Sequence, residues 1–184
     1  MSKTNRPADV AIPQMEKINP ELFSLMYGSF VLQLIKDYRD VQTVNVELYK
    51  VGYNMGIRLV DEFFAKSSQQ ACRDFAETVQ VIAKIAFKMF LNVDAEVSKI
   101  LPDGVTFHIS FKTNPLTDFV ELPQGFEQLH FSNVICGAIT GALRMLQLVV
   151  ECTYVQDKLK GSNEDEIAIK LIEVVNEGYI DDEM

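Results

Sequence analysis

The sequence predicts one α+β domain, with helices in the first half of the chain and an antiparallel sheet mostly in the second half. Between residues 19 and 90, apolar residues recur every three or four positions, the spacing of helices that pack on a core. Residues 105–112 alternate apolar and polar side chains, and two strand-like stretches flank the polar turn KGSNE near the end of the chain. A chain of 184 residues is also a usual length for a single domain.

Helical spacing extends over four segments, approximately residues 19–38, 43–66, 70–90 and 132–150. The first helix begins at Asn19-Pro20-Glu21, which supplies an N-cap side chain, a proline at the first helical position and an acid in the first turn. In the second helix, Gly52 and Gly56 lie four residues apart. Because glycine weakens an isolated helix, this pair indicates that another helix approaches closely at that point.

The apolar segment from Phe131 to Val150 is long enough to be compared with a membrane span. Arg144 and Gln147 lie well inside it, however, and an arginine in hydrocarbon costs several kcal/mol. We therefore predict a helix that is buried in the protein core.

Strand signals follow the third helix. The stretch VTFHISFK at 105–112 predicts a half-buried strand with His108 on its polar side. The next stretch, NPLTDFVELP, fits either a short helical turn or an extended segment between its two prolines. ECTYVQDKL and DEIAIKLIEVV are predicted to form a β-hairpin at the end of the domain.

Charge and cysteine content exclude some classes of function. The net charge is −9, which disfavours binding to a nucleic-acid backbone. Three scattered cysteines do not form a disulfide framework and indicate a reducing compartment. The first residues lack the apolar run of a secretory signal, so we expect a cytosolic protein.

We divide the chain into a flexible N-terminal arm at 1–18, a folded domain at 19–176 and an acidic C-terminal tail at 177–184. The arm is polar and shows no clear period. Residues 156–184 contain nine acidic and three basic side chains, so most of the net negative charge lies near the C-terminus.

A search for catalytic motifs is mostly negative. The sequence contains no phosphate-binding glycine loop, no HExxH and no CxxC. Neither His108 nor His130 has a cysteine or carboxylate at a known ligand spacing, so we expect no metal site. Cys136 and Cys152 are predicted to be core residues, as free cysteines usually are.

Cys72 is the cysteine with functional alternatives. It opens the apolar face of the third helix, which continues through Phe75, Val79, Ile82, Ala86, Met89 and Phe90. We expect it in the first helical turn, where the helix dipole and the adjacent Arg73 would lower the pKa of its thiol. Cys72 could therefore be an inert core residue, a nucleophile, a metal ligand, or an attachment point at the mouth of an apolar channel.

Several blocks of the sequence resemble the Bet3 family of subunits of the TRAPP vesicle-tethering complex. In family order these blocks are ELFSLMYGSF, VGYNMGIRLVDEFFAKS, CRDFAETVQVIAKIAFKMFLN, NPLTDFVELP, FSNVICGAITGALRMLQ and YVQDKLKG. They span about residues 21–169, and the combination of NPLTDFVELP with the later SNVICG is specific to that family.

This resemblance implies an α/β plait, in which helices pack on a small antiparallel sheet with an internal apolar tunnel. It also implies heterodimers with other small TRAPP subunits, or a homodimer in isolation. The complex of this family promotes nucleotide exchange on a Rab1/Ypt1-type GTPase in ER–Golgi and Golgi traffic. The subunit would have no catalytic centre of its own, and it would be cytosolic and peripherally bound to cis-Golgi and ER-derived membranes.

The resemblance further implies a palmitoyl or similar long acyl thioester on Cys72 and no metal. The tunnel residues carried over are Phe75, Val79, Ile82, Ala86 and Met89. The C-terminal tail of the family approaches the GTPase, which suggests contacts by Tyr179, Ile180, Asp181 and Asp182. This tail and the loop VSKILPDG depart from the usual family sequences.

Two other functions stay open at this point. The family fold is similar to ligand-binding domains of the 4-vinyl-reductase type, so a stand-alone module for hydrophobic ligands is the first alternative. A cysteine-dependent acyltransferase that uses Cys72 is the second, although no base for it is evident in the sequence.

Overall fold

The computed structural model describes residues 16–67 and 69–175, and within them helices pack on one four-stranded antiparallel sheet. The helices are α1 (Pro20–Tyr38), α2 (Val41–Ser67), α3 (Phe75–Val81), a π-helical turn (Ile82–Ala86), α4 (Phe87–Leu91) and α5 (Asn133–Met145). The strands are β1 (Ala95–Ile100), β2 (Thr106–Phe111), β3 (Leu148–Gln156) and β4 (Asp165–Val174), and a 3₁₀ turn covers Lys158–Lys160. The order across the sheet is β1-β2-β4-β3. The predicted α+β class is confirmed.

Side-chain caps open the first two helices, at the predicted place for α1 and two residues before the predicted start for α2. The Asn19 side chain accepts a hydrogen bond from the Leu22 N–H at 3.0 Å, and Pro20 occupies the first helical position. Before α2, the Asp40 carboxylate accepts hydrogen bonds from both the backbone N–H and the hydroxyl of Thr43. Each cap satisfies backbone donors that the first helical turn leaves free.

Helices α2 and α5 cross with their backbones in direct contact. A Cβ atom added at Gly52 or Gly56 would lie 2.0–2.1 Å from the carbonyl oxygen of Val134 or Ala138 on α5. Gly137 and Gly141 on α5 make the reciprocal approach to the backbone of α2. The predicted close packing of helices at these glycines is confirmed.

The core consists of two clusters. The larger one lies between the sheet and helices α3, α4 and α5, and it includes Ile109, Ile167 and Ile169, all of which are fully buried. The smaller one joins α1 and α2 to the segment that precedes α5, around Val31 and Leu48.

The predicted terminal hairpin is confirmed, because β3 and β4 pair around the turn that contains Gly161. The prediction that β2 is half-buried is wrong, since all six of its residues are buried. Strand β2 is flanked by β1 and β4, and Nδ1 of His108 lies 2.9 Å from a carboxylate oxygen of Glu166 on β4. These cross-strand contacts shield the polar side of the strand.

Two element boundaries differ from the sequence-based expectation. Strand β1 falls largely within VSKILPDG, a stretch with no clear alternation, and a register shift between Val97 and Lys99 interrupts its pairing with β2. Helix α5 ends at Met145, and a left-handed residue, Gln147, redirects the chain into β3. None of the helices within the described residues combines the length and the apolar composition needed to cross a membrane.

The ambiguous NPLTDFVELP segment forms turns rather than a helix or a strand. Asn114 is 1% exposed, and its amide nitrogen donates to Ser132 and to Asp165, at 3.0 Å in each case. Its amide oxygen accepts from the Leu116 N–H. Asn114 therefore connects this segment to the start of α5 and to β4 through two buried hydrogen bonds, and the third holds the turn within the segment.

Candidate functional site

Cys72 lies just before α3, not within its first turn as the sequence predicts. The N-cap is Asp74, whose carboxylate accepts from the Glu77 N–H at 2.8 Å. Glu77 in turn accepts from the Arg73 N–H at 2.7 Å. This reciprocal capping by two carboxylates starts the helix at Phe75, because aspartate is a strong N-cap.

The predicted decrease in the pKa of the Cys72 thiol is also wrong. Burial raises the pKa of Cys72, the polar Thr78 side chain opposes that shift, and the negative charges of Glu77 and Asp74 raise it further. Arg73 does not offset these charges, since its guanidinium is paired with Glu77 at 3.1 Å and is largely exposed. The resting thiol is therefore protonated and weakly nucleophilic at neutral pH.

Cys72 lies close in sequence to the buried side of α3. Thr78, whose hydroxyl donates to the Asp74 carbonyl oxygen at 2.9 Å, is 7% exposed, and the next residue, Val79, is fully buried in the larger core cluster. Cys72 itself is partly exposed. The sulfur thus lies at the boundary between solvent and the core.

A π-helical turn interrupts the helix that follows Cys72. The Phe87 N–H donates to the Ile82 carbonyl oxygen, five residues earlier, and the turn covers Ile82–Ala86. One extra residue per turn changes which side chains face the core beyond this point, so Ala83 and Phe87 are buried. The apolar period of the sequence did not indicate these two residues.

The predicted tunnel residues lie on both sides of this turn. Val79 and Met89 are buried, whereas Phe75, Ile82 and Ala86 are partly buried. The rings of Phe75 and Phe107 pack edge to face, with their centroids 5.4 Å apart. Phe75, Val79 and Ile82 contact the larger core cluster, while the assignment of all five residues to an acyl tunnel stays a prediction.

The remaining candidate residues are the other two cysteines and the residues of the C-terminal tail. Cys136 and Cys152 are buried core residues, as predicted. Among the residues that the structure describes, no three histidine, cysteine, aspartate or glutamate side chains are grouped as they would be around a metal ion. The predicted GTPase contacts, Tyr179, Ile180, Asp181 and Asp182, lie outside the described residues.

Helix α1 exposes an apolar surface that the sequence analysis did not identify. Leu22, Leu25 and Met26 are 57%, 62% and 65% exposed, whereas Val31 on the opposite side of the helix is fully buried. Adjacent exposed apolar side chains of this kind mark interaction surfaces in soluble proteins. We refer to Leu22, Leu25 and Met26 as the α1 surface.

Comparison with known proteins connects these features to one family. The family described as transport protein particle (TRAPP) component matches residues 23–170. Trafficking protein particle complex subunit 3 of Dictyostelium discoideum is 49% identical over 165 residues, which is 89% of each protein. Transport protein particle subunit bet3 of Schizosaccharomyces pombe is 45% identical over 178 residues, which is 96% of each protein.

Solved structures agree with this relationship. A trafficking protein particle complex subunit 3 from Naegleria fowleri, covalently bound to palmitic acid, is 49% identical, with a TM-score of 0.84 over 88% of this chain and 100% of that chain. A vinyl-4-reductase family protein from Methanocaldococcus jannaschii shares only the fold, at 19% identity over 94% of this chain and 99% of that chain, with a TM-score of 0.50. The chain therefore belongs to the transport protein particle (TRAPP) component family, in which its similar relatives are subunits of the Bet3, or subunit 3, type.

Proposed function

We propose that this protein is a core subunit of a TRAPP-type vesicle-tethering complex in ER–Golgi and Golgi traffic. As part of that complex it contributes to nucleotide exchange on a Rab1/Ypt1-type GTPase, and it has no catalytic activity of its own. The observation that carries the proposal is the 49% sequence identity to a solved subunit 3. The match covers 100% of that solved chain. Relatives of this similarity and coverage usually keep their partners.

The α1 surface supports a role as a subunit. Its three side chains are more than half exposed, although a monomeric protein gains stability by burying such groups. Helix α1 also packs on α2, so the surface is held on a rigid pair of helices. We propose that another small subunit of the complex covers it, in a heterodimer or, in isolation, a homodimer.

We further propose that Cys72 carries a palmitoyl or similar long acyl thioester. The related subunit from Naegleria fowleri is covalently bound to palmitic acid, and the partly buried Cys72 of this chain lies just before α3, whose Phe75 and Val79 contact the larger core cluster. The acyl chain would extend from Cys72 into the protein core, along the side chains of Phe75, Val79, Ile82, Ala86 and Met89. A buried methylene contributes about 0.8 kcal/mol, so a buried palmitoyl chain is worth on the order of 10 kcal/mol.

The acidic tail is proposed to reach the GTPase. The carboxylates of Asp181 and Asp182 would bring negative charge close to the nucleotide bound by the GTPase. They would compete there with the phosphate groups for Mg²⁺. Tyr179 and Ile180, which precede them in the tail, would contact the GTPase beside them. A tail that is simply solvated is the alternative, and removal of residues 177–184 distinguishes the two. Loss of exchange activity in an otherwise intact complex would support contact with the GTPase.

The decisive experiment is a mild purification of the tagged protein from its own cells, followed by mass spectrometry of the co-purifying chains and of the intact subunit. We expect other small TRAPP subunits in stoichiometric amounts, retention of a Rab-type GTPase when nucleotide is removed, and an acyl mass on the subunit that hydroxylamine releases. The matched variant Cys72→Ser should lack that mass. A lone subunit with a freely exchanging lipid would instead favour a stand-alone module for hydrophobic ligands.

A further inference from the structure

The side chain of Lys160 is held by an imidazole rather than by an acid. Its amine nitrogen, Nζ, lies 3.3 Å from Nδ1 of His130. Because the amine of lysine acts here as the donor, Nδ1 is the acceptor and the ring proton lies on Nε2. The lysines whose amines pair with a carboxylate are Lys50, Lys66 and Lys88. An imidazole accepts the same hydrogen bond without supplying a negative charge, so it stabilises the ammonium form less.

The imidazole of His130 is fixed by contacts with a helix and a strand. The His130 N–H donates to the side-chain oxygen of Asn45 on α2 at 2.8 Å. The ring stacks on Tyr154 of β3, with centroids 6.1 Å apart and ring planes at 24°. Tyr154 in turn packs against the larger core cluster. Nδ1 of His130 is therefore held at a defined position next to Lys160.

The backbone that carries Lys160 is also fixed. Lys160 ends the 3₁₀ turn, and its N–H donates to the Asp157 carbonyl oxygen at 3.0 Å. The Asp157 carboxylate caps the same turn by accepting from the Leu159 N–H at 2.9 Å. Leu159 packs against the smaller core cluster. Lys160 itself is exposed, so a molecule from solvent can reach its amine while the turn stays in place.

The surroundings of this pair favour its neutral forms. Burial lowers the pKa of Lys160, although the negative charge of Asp157 opposes that shift. Burial and the charge of Lys160 also lower the pKa of His130. A neutral amine is a nucleophile, and a neutral imidazole is a base. An amine with a base in hydrogen-bond reach is the arrangement of an activated nucleophile.

We propose that Lys160 is a site of N-acetylation by acetyl-coenzyme A, with His130 as the base. The neutral amine nitrogen of Lys160 attacks the carbonyl carbon of the thioester, and the carbon–sulfur bond to coenzyme A breaks. The proton that the amine loses passes to Nδ1 of His130 and from there to the leaving thiolate. The product is an uncharged amide, so the modification removes a positive charge from the turn between β3 and β4.

The test is the initial rate of acetylation at each lysine when the purified full-length protein is incubated with acetyl-coenzyme A near neutral pH. Peptide mapping by mass spectrometry measures these rates. Lys158 is the internal control, since it is exposed on the same turn and its amine donates to the Lys112 carbonyl oxygen at 2.7 Å. We expect Lys160 to react at least about tenfold faster than Lys158, because a positioned base contributes at least that much.

Two replacements of His130 test its role as the base. His130→Phe keeps an aromatic ring that can stack on Tyr154 but removes the acceptor, whereas His130→Gln keeps an acceptor that takes up no proton. In each variant the rate at Lys160 should fall to that at Lys158, and the rate at Lys158 should stay the same. If one variant fails to fold, the other decides. Equal rates at the two lysines of the wild type, or a fast Lys160 in a folded variant, would overturn the proposal.

Discussion

At the scale of single residues, the environment of Cys72 shows how local charge controls a thiol. Burial, Glu77 and Asp74 raise its pKa, and the adjacent cation, Arg73, is already paired with Glu77. A thiol of this kind is suited to carrying a stable modification rather than to repeated turnover, which argues against the acyltransferase alternative.

Replacement Glu77→Gln tests this electrostatic account. The amide keeps an oxygen that can accept from the Arg73 N–H but removes a negative charge near the sulfur. The pKa of Cys72 should fall, so alkylation by iodoacetamide at pH 7.5 should become several times faster in protein without an acyl group. Peptide mapping would show which cysteine carries the label. We expect it on Cys72, because Cys136 and Cys152 are buried. An unchanged rate would mean that the charge of Glu77 does not control the thiol.

Asp165 provides a second prediction at the residue scale. It is 1% exposed, and burial raises the pKa of its carboxyl despite hydrogen bonds from the Lys158 N–H and from Asn114. Because the folded-state pKa lies above the unfolded-state value, the stability from this group is fully present below about pH 4 and is lost as pH rises through the raised pKa. The free energy of unfolding of Asp165→Asn should therefore fall below that of the wild type by more at pH 4 than at pH 7.

Urea unfolding at the two pH values measures this difference, which should amount to about 1.4 kcal/mol for each unit by which the pKa is raised. Asp61→Asn, at an exposed position on α2, controls for the general change in charge. A difference that grows towards pH 7 would show that the folded protein favours the ionised carboxylate instead.

At the scale of elements, the glycines between α2 and α5 decide how closely these helices approach. In Gly52→Ala the new methyl group would lie 2.0 Å from the Val134 carbonyl oxygen, so the backbones must separate. We expect a loss of about 3 kcal/mol or more in the free energy of unfolding, measured with urea. Gly28→Ala on α1, where nothing lies within 4 Å, should instead stabilise the protein by up to about 1 kcal/mol. Equal effects at the two sites would contradict the packing argument.

The spacing of apolar residues predicted a helix or strand reliably only where one face of that element is apolar and the other is polar. Helix α2 satisfies that condition, and its predicted range, 43–66, lies within two residues of the observed one. The π-helical turn does not, because the apolar residues of 70–90 satisfy a regular α-helix equally well and only packing against β2 selects Ala83 and Phe87. Strand β1 is mostly exposed and has no alternation to detect.

At the scale of the whole molecule, the α1 surface should control assembly. Leu25→Glu places a charge on a side chain that is 62% exposed, so the isolated fold should be unaffected. If a partner subunit covers the α1 surface, its dissociation constant should rise at least about tenfold. Light scattering on co-expressed subunits measures the change, and Gln42→Glu, at an exposed position on α2, is the control. Intact assembly with Leu25→Glu would place the interface elsewhere.

The acyl chain should act on the stability of the whole subunit rather than on membrane attachment. A chain inside the core stabilises the folded state, whereas one chain in a bilayer gives only reversible anchoring. In protein purified from its own cells, Cys72→Ser should therefore lower the melting temperature by at least about 5 °C and leave the membrane-bound fraction unchanged. A variant that kept its melting temperature but left the membrane would show that the lipid is an anchor.

By itself, the sequence determined the fold class, the capped start of α1, the close packing at the glycines, and the family through its specific blocks. These features are local or periodic, so they are readable from neighbouring residues. Only the tertiary structure decided the protonated state of the Cys72 thiol, the buried side chains Ala83 and Phe87, the central position of Asn114 and the exposure of the α1 surface. Each of these depends on groups that are distant in sequence and meet only when helices and sheet are packed, because burial and electrostatic environment are properties of the assembled fold.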